Sequence, residues 1–323
     1  NTSELHVIYG SGPVGMTVID ELLARGKRVR LVKRSGQASV PAGVEVVPGD
    51  ATDAENARRV CEGAAVVYNC TNAPDYQKWP EQFPPLQRGI MEGAAANGAK
   101  LVVTENLYMY GPHGGAPMTE AMPMRATGAR GSTRAKLAIE LIEAHAAGKV
   151  RFASARAADF YGPRVLQSLA GEQGFRAALT GKSAQVLFSA DNLHSLTYIK
   201  DMARALVILA EHDEADGQAW HVPNAPAITM REFWDKVYTQ AGNPPAKLMV
   251  ANTPMLRFIG LFAPGLRGIT ENKWQFAEPF VADHSRFMNT FGAAVAALPE
   301  PLPTPIDDGI RAALRWYREH PAQ

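Results

Sequence analysis

Cysteine is scarce in this chain of 323 residues: only Cys61 and Cys70 occur, both within apolar segments. Two cysteines exclude a disulfide scaffold and make a reducing, cytoplasmic compartment the expectation. Charge of one sign is lacking as well. Lysine plus arginine total 33 against 32 acidic residues, a net +1, so no global field draws in nucleic acid or an anionic membrane. No apolar run approaches the ~20 residues of a spanning helix, and a first strand expected from Leu5 leaves no room for a signal peptide. Internal repeats and low-complexity tracts are absent too. What remains is ordinary: 46% hydrophobic and 20% charged residues, close to globular averages, which excludes a fibrous or wholly disordered chain. The length suits about two domains of roughly 150 residues, or one large α/β unit with an appended lobe.

Two hydrophobic periods alternate through the first 155 residues. Short apolar runs predict strands at Leu5–Tyr9, Val29–Val32, Val44–Val47, Ala65–Tyr68, Leu101–Val103 and Val150–Ala153. Helical spacing predicts helices over Val14–Ala24, Ala51–Cys61 with Asp50 as its N-cap, Leu86–Ala96 and Ser132–Ala147. That rhythm implies βαβ units and a doubly wound, Rossmann-type parallel sheet of the α/β class. After Arg164 it loosens. Val165–Ala184 reads as helical, His194–Ile199 as a strand, Met202–His212 as a helix and Ala219–Val222 as a last short strand. Beyond Pro223, prolines and glycines (Asn243-Pro244-Pro245, Pro264-Gly265, Pro299 through Pro305) separate short helices, so a smaller, mostly helical lobe is expected. The expected division is a cofactor domain over 1–163 and 192–223 and a substrate lobe over 164–191 and 224–323.

Between the first strand and helix lies Gly10-Ser11-Gly12-Pro13-Val14-Gly15, a G-x-G-x-x-G. Glycines belong there because one makes a tight turn, one admits a pyrophosphate to the backbone, and one lets helix pack on strand. The anion then meets the positive end of the helix dipole. A dinucleotide is therefore the expected cofactor. NAD-binding chains place an acidic residue at the end of the second strand to accept from the ribose 2′-OH. Here that strand ends in Lys33-Arg34, which attracts a 2′-phosphate, so NADP(H) is favoured over NAD(H). Asp50 and Ala51, after the third strand, are placed to meet the adenine, although a helix cap is an equally simple role for Asp50.

In this order of segments the chain resembles the extended, epimerase/dehydratase-like branch of the short-chain dehydrogenase/reductase superfamily, from about Leu5 to about Val222. Gly49-Asp50, Tyr110-Gly111, Arg156 with Tyr161-Gly162-Pro163, and Thr197-Tyr198-Ile199-Lys200-Asp201 with Ala203 all match its segments in sequence order. The resemblance implies that Asn69, Cys70 and Thr71, ending the fourth strand, lie against the cofactor.

The departures bear on chemistry. Tyr9 stands where the family usually has a glycine three residues before Gly12. The family's catalytic Tyr-x-x-x-Lys opens a long helix; Lys136 fits the lysine, with Glu140 at the usual spacing, but Ser132 occupies the tyrosine position. Asn106 falls at the active-site Ser/Thr position. In the usual arrangement a lysine lowers a phenol's pKa from about 10 so that it exchanges a proton near neutrality. A serine hydroxyl is too weak an acid and too short to replace it. Lys136 still suits the nicotinamide ribose, Asn106 can polarise a carbonyl, and Tyr108 or Tyr110 can donate the proton unless both are simply packed aromatics.

Other residues have plainer readings. His194, His221 and His284 are too scattered, and His113 too isolated among glycines, for a metal site, so no metal is expected. Cys70 has no visible base and reads as a small core residue. Trp274, Phe276, Phe280 and Phe287 read as the apolar face of the C-terminal lobe, core first and pocket wall second. Met109, Met118, Met122 and Met124 suggest an apolar, adaptable substrate if they border the site. The expected function is NADP(H)-dependent hydride transfer to or from a small or mid-sized carbonyl, imine or enone, by a monomer or homodimer with no nucleic-acid or membrane partner. A sugar-nucleotide epimerase or dehydratase and a non-catalytic NADP sensor are the alternatives; loss of the tyrosine base counts against the first and permits the second.

Overall fold

The computed structural model describes residues 3–251 and 269–321. Six strands in chain order, β1 (Leu5–Tyr9), β2 (Arg28–Lys33), β3 (Val44–Pro48), β4 (Ala64–Asn69), β5 (Lys100–Glu105) and β6 (Phe152–Arg156), join Gln218–His221 in one sheet. Its order is Gln218–His221, β6, β5, β4, β1, β2, β3, with every neighbouring pair parallel. The order reverses between β1 and β4, and a doubly wound sheet opens its ligand crevice at such a switch point, beyond the carboxyl ends of the strands.

Helices α1 (Pro13–Ala24), α2 (Ala54–Val60), α3 (Trp79–Ala96) and α4 (Ala129–Ala146) supply the crossovers. Strands buried on both faces must read as continuous apolar runs, and all five residues of β1 and of β6 are indeed buried. On one side Val7, Tyr9, Val67, Leu101, Val103 and Phe152 pack with Ile90, Ala94 and Leu141.

The chain divides into two compact units. The first comprises Asn1–Met109, Ala129–Arg156 and Met202–Val222, and the second Tyr110–Gly128, Ala157–Asp201 and Pro223–Gln323. The second unit thus takes in Tyr110–Gly128, residues 157–163, residues 192–201 and Pro223, all of which the sequence division assigns to the cofactor domain. Within it, helices accompany only two-stranded pairings among the described residues: Asp159–Tyr161 with Leu196–Tyr198, Leu193–His194 with Ile228–Thr229, and Ala184–Leu187 with Leu248–Ala251. The Pro264-Gly265 break lies outside the described residues.

Three local expectations are corrected. Helix α2 starts at Ala54, not Ala51, and Asp53 caps it, accepting from Glu55 N at 3.0 Å and Asn56 N at 3.1 Å. Asp50 closes a tighter turn instead, accepting from the backbone N–H and hydroxyl of Thr52. Helix α3 begins at Trp79, seven residues before Leu86, although Pro84 and Pro85 lie inside it. Buried Trp79 and Phe83 offset the lost backbone bonds that make proline a helix breaker. Finally, the stretch Val165–Ala184 is helical only over Glu172–Leu179, and Ala184 begins a strand. Arg164 takes φ +66°, and the Ser168 hydroxyl donates to Phe160 O and accepts from Ala170 N. Such side-chain-to-backbone bonds compete with helix.

Asp53→Ala should lower stability by about 1 kcal/mol in urea titration and speed amide exchange at Glu55 and Asn56. Asp50→Ala should leave the exchange of those two amides unchanged.

Candidate functional site

The glycine loop is shaped by contact with the neighbouring strand. Gly10 has φ +104°, and a Cβ there would lie 2.3 Å from the Cys70 carbonyl oxygen, so no other residue fits without moving the end of β4. A Cβ on Gly15 would lie 1.9 Å from Gly10 O, which keeps α1 tight against the loop. Cys70 N donates to Tyr9 O at 2.9 Å and locks the two strand ends together. Gly12 differs. It is the N-cap of α1, offers no side-chain cap, and has open space where a Cβ would point. Pro13 follows, and Val14 is buried. Ser11 and Gly12 are exposed, so the positive end of the helix faces open space able to take a pyrophosphate.

Asn69, Cys70 and Thr71 line the opposite lip. Asn69 Oδ1 accepts from Thr71 N at 3.2 Å and from its hydroxyl at 2.7 Å, fixing the turn that follows β4. Burial pushes the Cys70 thiol up to about 12, against a smaller opposing effect of Thr104, so it is not a nucleophile at neutral pH.

Farther along the same sheet edge, Lys33 and Arg34 stand exposed at the end of β2. Lys33 O accepts from Gly36 N and from Gly49 N, which draws the end of β3 beside them. Asp50 is held below the usual carboxylate range, first by the Thr52 N–H, then by the Thr52 hydroxyl, with Arg34 adding attraction. Ala51 is buried just behind. Lys33, Arg34, Asp50 and Ala51 therefore form one group, cationic at its rim.

At the end of β5, Asn106 Oδ1 accepts from Tyr108 N at 3.1 Å. That bond assigns Oδ1 as the acceptor and leaves Nδ2 as the amide's donor, since the reverse orientation would set N–H against N–H. The Tyr108 ring stacks on Trp79 at 5.7 Å, and its oxygen accepts a long hydrogen bond, 3.4 Å, from the Tyr76 hydroxyl. Tyr110 belongs to the second unit and is 1% exposed. Ser132 is half-buried and Lys136 exposed on α4; four residues apart, they share a helix face.

Sequence reasoning missed the opposite face. Arg130 and Arg134, each two residues from Ser132, point about 200° away from it. Arg130 Nε donates to Tyr76 O at 2.9 Å and its guanidinium lies 3.9 Å over the Tyr76 ring. Arg134 lies 4.0 Å over Phe83 and 5.0 Å from the Trp79 ring centre. Nearby, Glu105 and Arg156 form an ion pair of 2.8 Å with both side chains almost wholly buried. The Arg130/Arg134 spacing was visible as an i, i+4 pair, but exposed arginines follow the same spacing, so nothing marked Arg130 as buried or Arg134 as packed on aromatic rings. In the second unit, Trp274, Phe276, Phe280, Phe287 and Met118 are all buried core, whereas Met122 and Met124 are half-buried. The His194 ring belongs to that core too: it stacks on Phe276 and Phe280 and bonds Asp159 at 2.8 Å.

Breaking the Glu105–Arg156 pair with Glu105→Gln should cost about 3–5 kcal/mol in denaturant titration, because the buried guanidinium loses the carboxylate that faces it. Glu105→Leu combined with Arg156→Met should cost markedly less.

The comparisons with known proteins agree with this geometry. The profile of the NAD dependent epimerase/dehydratase family matches residues 7–222. Among curated proteins, the sterol-4-alpha-carboxylate 3-dehydrogenases (decarboxylating) of Bos taurus and Mus musculus are each 24% identical over 248 residues, spanning 72% of this chain and 68% and 67% of theirs. Among solved structures, a dTDP-glucose 4,6-dehydratase of Bacillus anthracis in complex with NAD superposes with TM-score 0.78 at 14% identity, over 98% of this chain and 97% of that one. A UDP-N-acetylglucosamine 4-epimerase of Methanobrevibacter ruminantium gives TM-score 0.78 at 14% identity, over 99% and 100%. The match over two thirds of the chain, on the strands that carry the glycine loop, shows that the chain belongs to the NAD-dependent epimerase/dehydratase family.

Proposed function

We propose that this chain is an NADP(H)-dependent oxidoreductase that transfers hydride to or from a small or mid-sized carbonyl, imine or enone, in the cytoplasm. The observation that carries the reading is the sheet edge itself. An uncapped helix N-terminus at Gly12, open space above it, and exposed Lys33 and Arg34 one strand away match a pyrophosphate and a 2′-phosphate in turn.

The bound dinucleotide would supply or accept the hydride. The chain's own residues bind and orient. Arg34 grips the 2′-phosphate, bidentately where its fork reaches two oxygens, and Lys33 adds charge. Asp50, kept ionised by Thr52, retains an oxygen to accept from the adenine amino group. Lys136 donates to the nicotinamide ribose. Asn106 Nδ2 donates to the substrate carbonyl and stabilises the charge that develops there. Tyr108 offers the phenolic proton that Ser132 is too weakly acidic and too short to supply. The curated relatives are named as dehydrogenases acting on a sterol carboxylate, which supports hydride transfer at an apolar carbonyl or alcohol here. The solved neighbours named as sugar-nucleotide enzymes share the fold alone, and Ser132 lacks the base that oxidation of a sugar hydroxyl uses.

Arg34→Asp should weaken NADPH binding by about tenfold or more relative to NADH, read by cofactor fluorescence titration; an unchanged preference would contradict the cofactor assignment. Purified protein mixed with NADPH and a panel of carbonyls and imines should consume absorbance at the reduced-cofactor band, and Tyr108→Phe should slow that turnover without weakening NADPH binding. Tight NADPH binding with no turnover across the panel would favour a sensor.

A further inference from the structure

Two buried N–H donors in one cluster have no acceptor among the described residues: Nε of Arg134 and Nε1 of Trp79. A few such orphans occur in a native protein, and each calls for a specific account. These two belong together, because the Arg134 guanidinium lies 5.0 Å from the Trp79 ring centre and 4.0 Å from that of Phe83. Trp79 and Phe83 are each 4% exposed and meet edge to face at 5.0 Å. The ring of Tyr108 closes the cluster by stacking on Trp79.

The charge is equally unbalanced. Glu105 is near enough to act on Arg134 electrostatically, yet its carboxylate is committed to Arg156 at 2.8 Å. Arg130 is committed to Tyr76. Burial therefore dominates and lowers Arg134 to about 10, outweighing the opposing pull of Glu105 and Tyr108. A guanidinium still carries its charge at that value, so the protein keeps a half-buried cation whose Nε is shut off from solvent and which has no ion pair to a carboxylate among the described residues, an arrangement that costs stability. Aromatic faces offset part of that cost but cannot accept from an in-plane N–H.

We propose that Arg134, with the Trp79 N–H as a second donor, binds a carboxylate carried by the substrate beside the Tyr108 phenol. The assignment rests on the oxidoreductase reading for its placement next to the reacting carbonyl. A planar monoanion fits a single guanidinium held against flat rings. A phosphate group calls for the several cations and backbone donors that are instead gathered at Gly12, Lys33 and Arg34.

The test uses the full chain and benzoate as probe, with benzamide as its neutral counterpart. Benzoate should saturably change tryptophan fluorescence and raise the melting temperature, and benzamide should bind at least tenfold more weakly. Arg134→Met keeps the apolar stem over the rings while removing the charge. It should weaken benzoate at least tenfold, leave NADP+ affinity unchanged, and melt no lower than the parent when no benzoate is present. Equal binding of benzamide, undiminished benzoate binding by the variant, or a variant that melts lower or fails to fold would overturn the proposal. So would inorganic phosphate that displaces benzoate and NADP+ together, since the anion would then be the cofactor's own. Benzoate binding is read without turnover and in cofactor-free protein as well, so failure of NADP+ to bind would count against the oxidoreductase reading alone.

Discussion

The arrangement depends on one close approach. The backbone at Gly10 comes so near the Cys70 carbonyl that a Cβ would fall 2.3 Å from it. Because the strand order reverses between β1 and β4, that approach occurs where the sheet parts to admit a ligand. Glycine is forced there by sterics and by a positive φ alike. Two residues on, Gly12 is exposed and brings no side chain to cap the first turn of α1. An uncapped helix end has unsatisfied N–H groups and a positive dipole, and an anion completes it. The glycines that the fold requires at this turn thus also leave the helix end open to an anion.

A second constraint works one strand farther on. Parallel pairing of β2 with β3 sets Lys33-Arg34 beside Gly49-Asp50. Thr52 and, to a smaller degree, Arg34 favour the ionised form of Asp50, and two cations against one carboxylate leave the rim positive. The near-zero net charge of the chain therefore conceals a local cationic edge.

The sheet was legible in the sequence because strands buried on both faces must be mostly apolar, as β1 and β4 are. The glycine loop was legible because its spacing is dictated by backbone geometry. The start of α3 was not, since Pro84 and Pro85 signal a break that only the burial of Trp79 and Phe83 overrides. Nor was the cap of α2: Asp50 and Asp53 are both good caps, and spacing alone does not choose between them. The arginine–aromatic cluster was hidden for a deeper reason. Arg134 in a sequence reads as a solvated cation, and only tertiary packing shows it set against two rings with its Nε unsatisfied.

The central claim is that the exposed cations ending β2 select a phosphorylated ribose. It is tested most directly by calorimetric titration of the unmodified protein with 2′,5′-ADP and with 5′-ADP. Binding of 2′,5′-ADP tighter by roughly tenfold or more is the expected result. Equal affinities, or a preference for 5′-ADP, would contradict it.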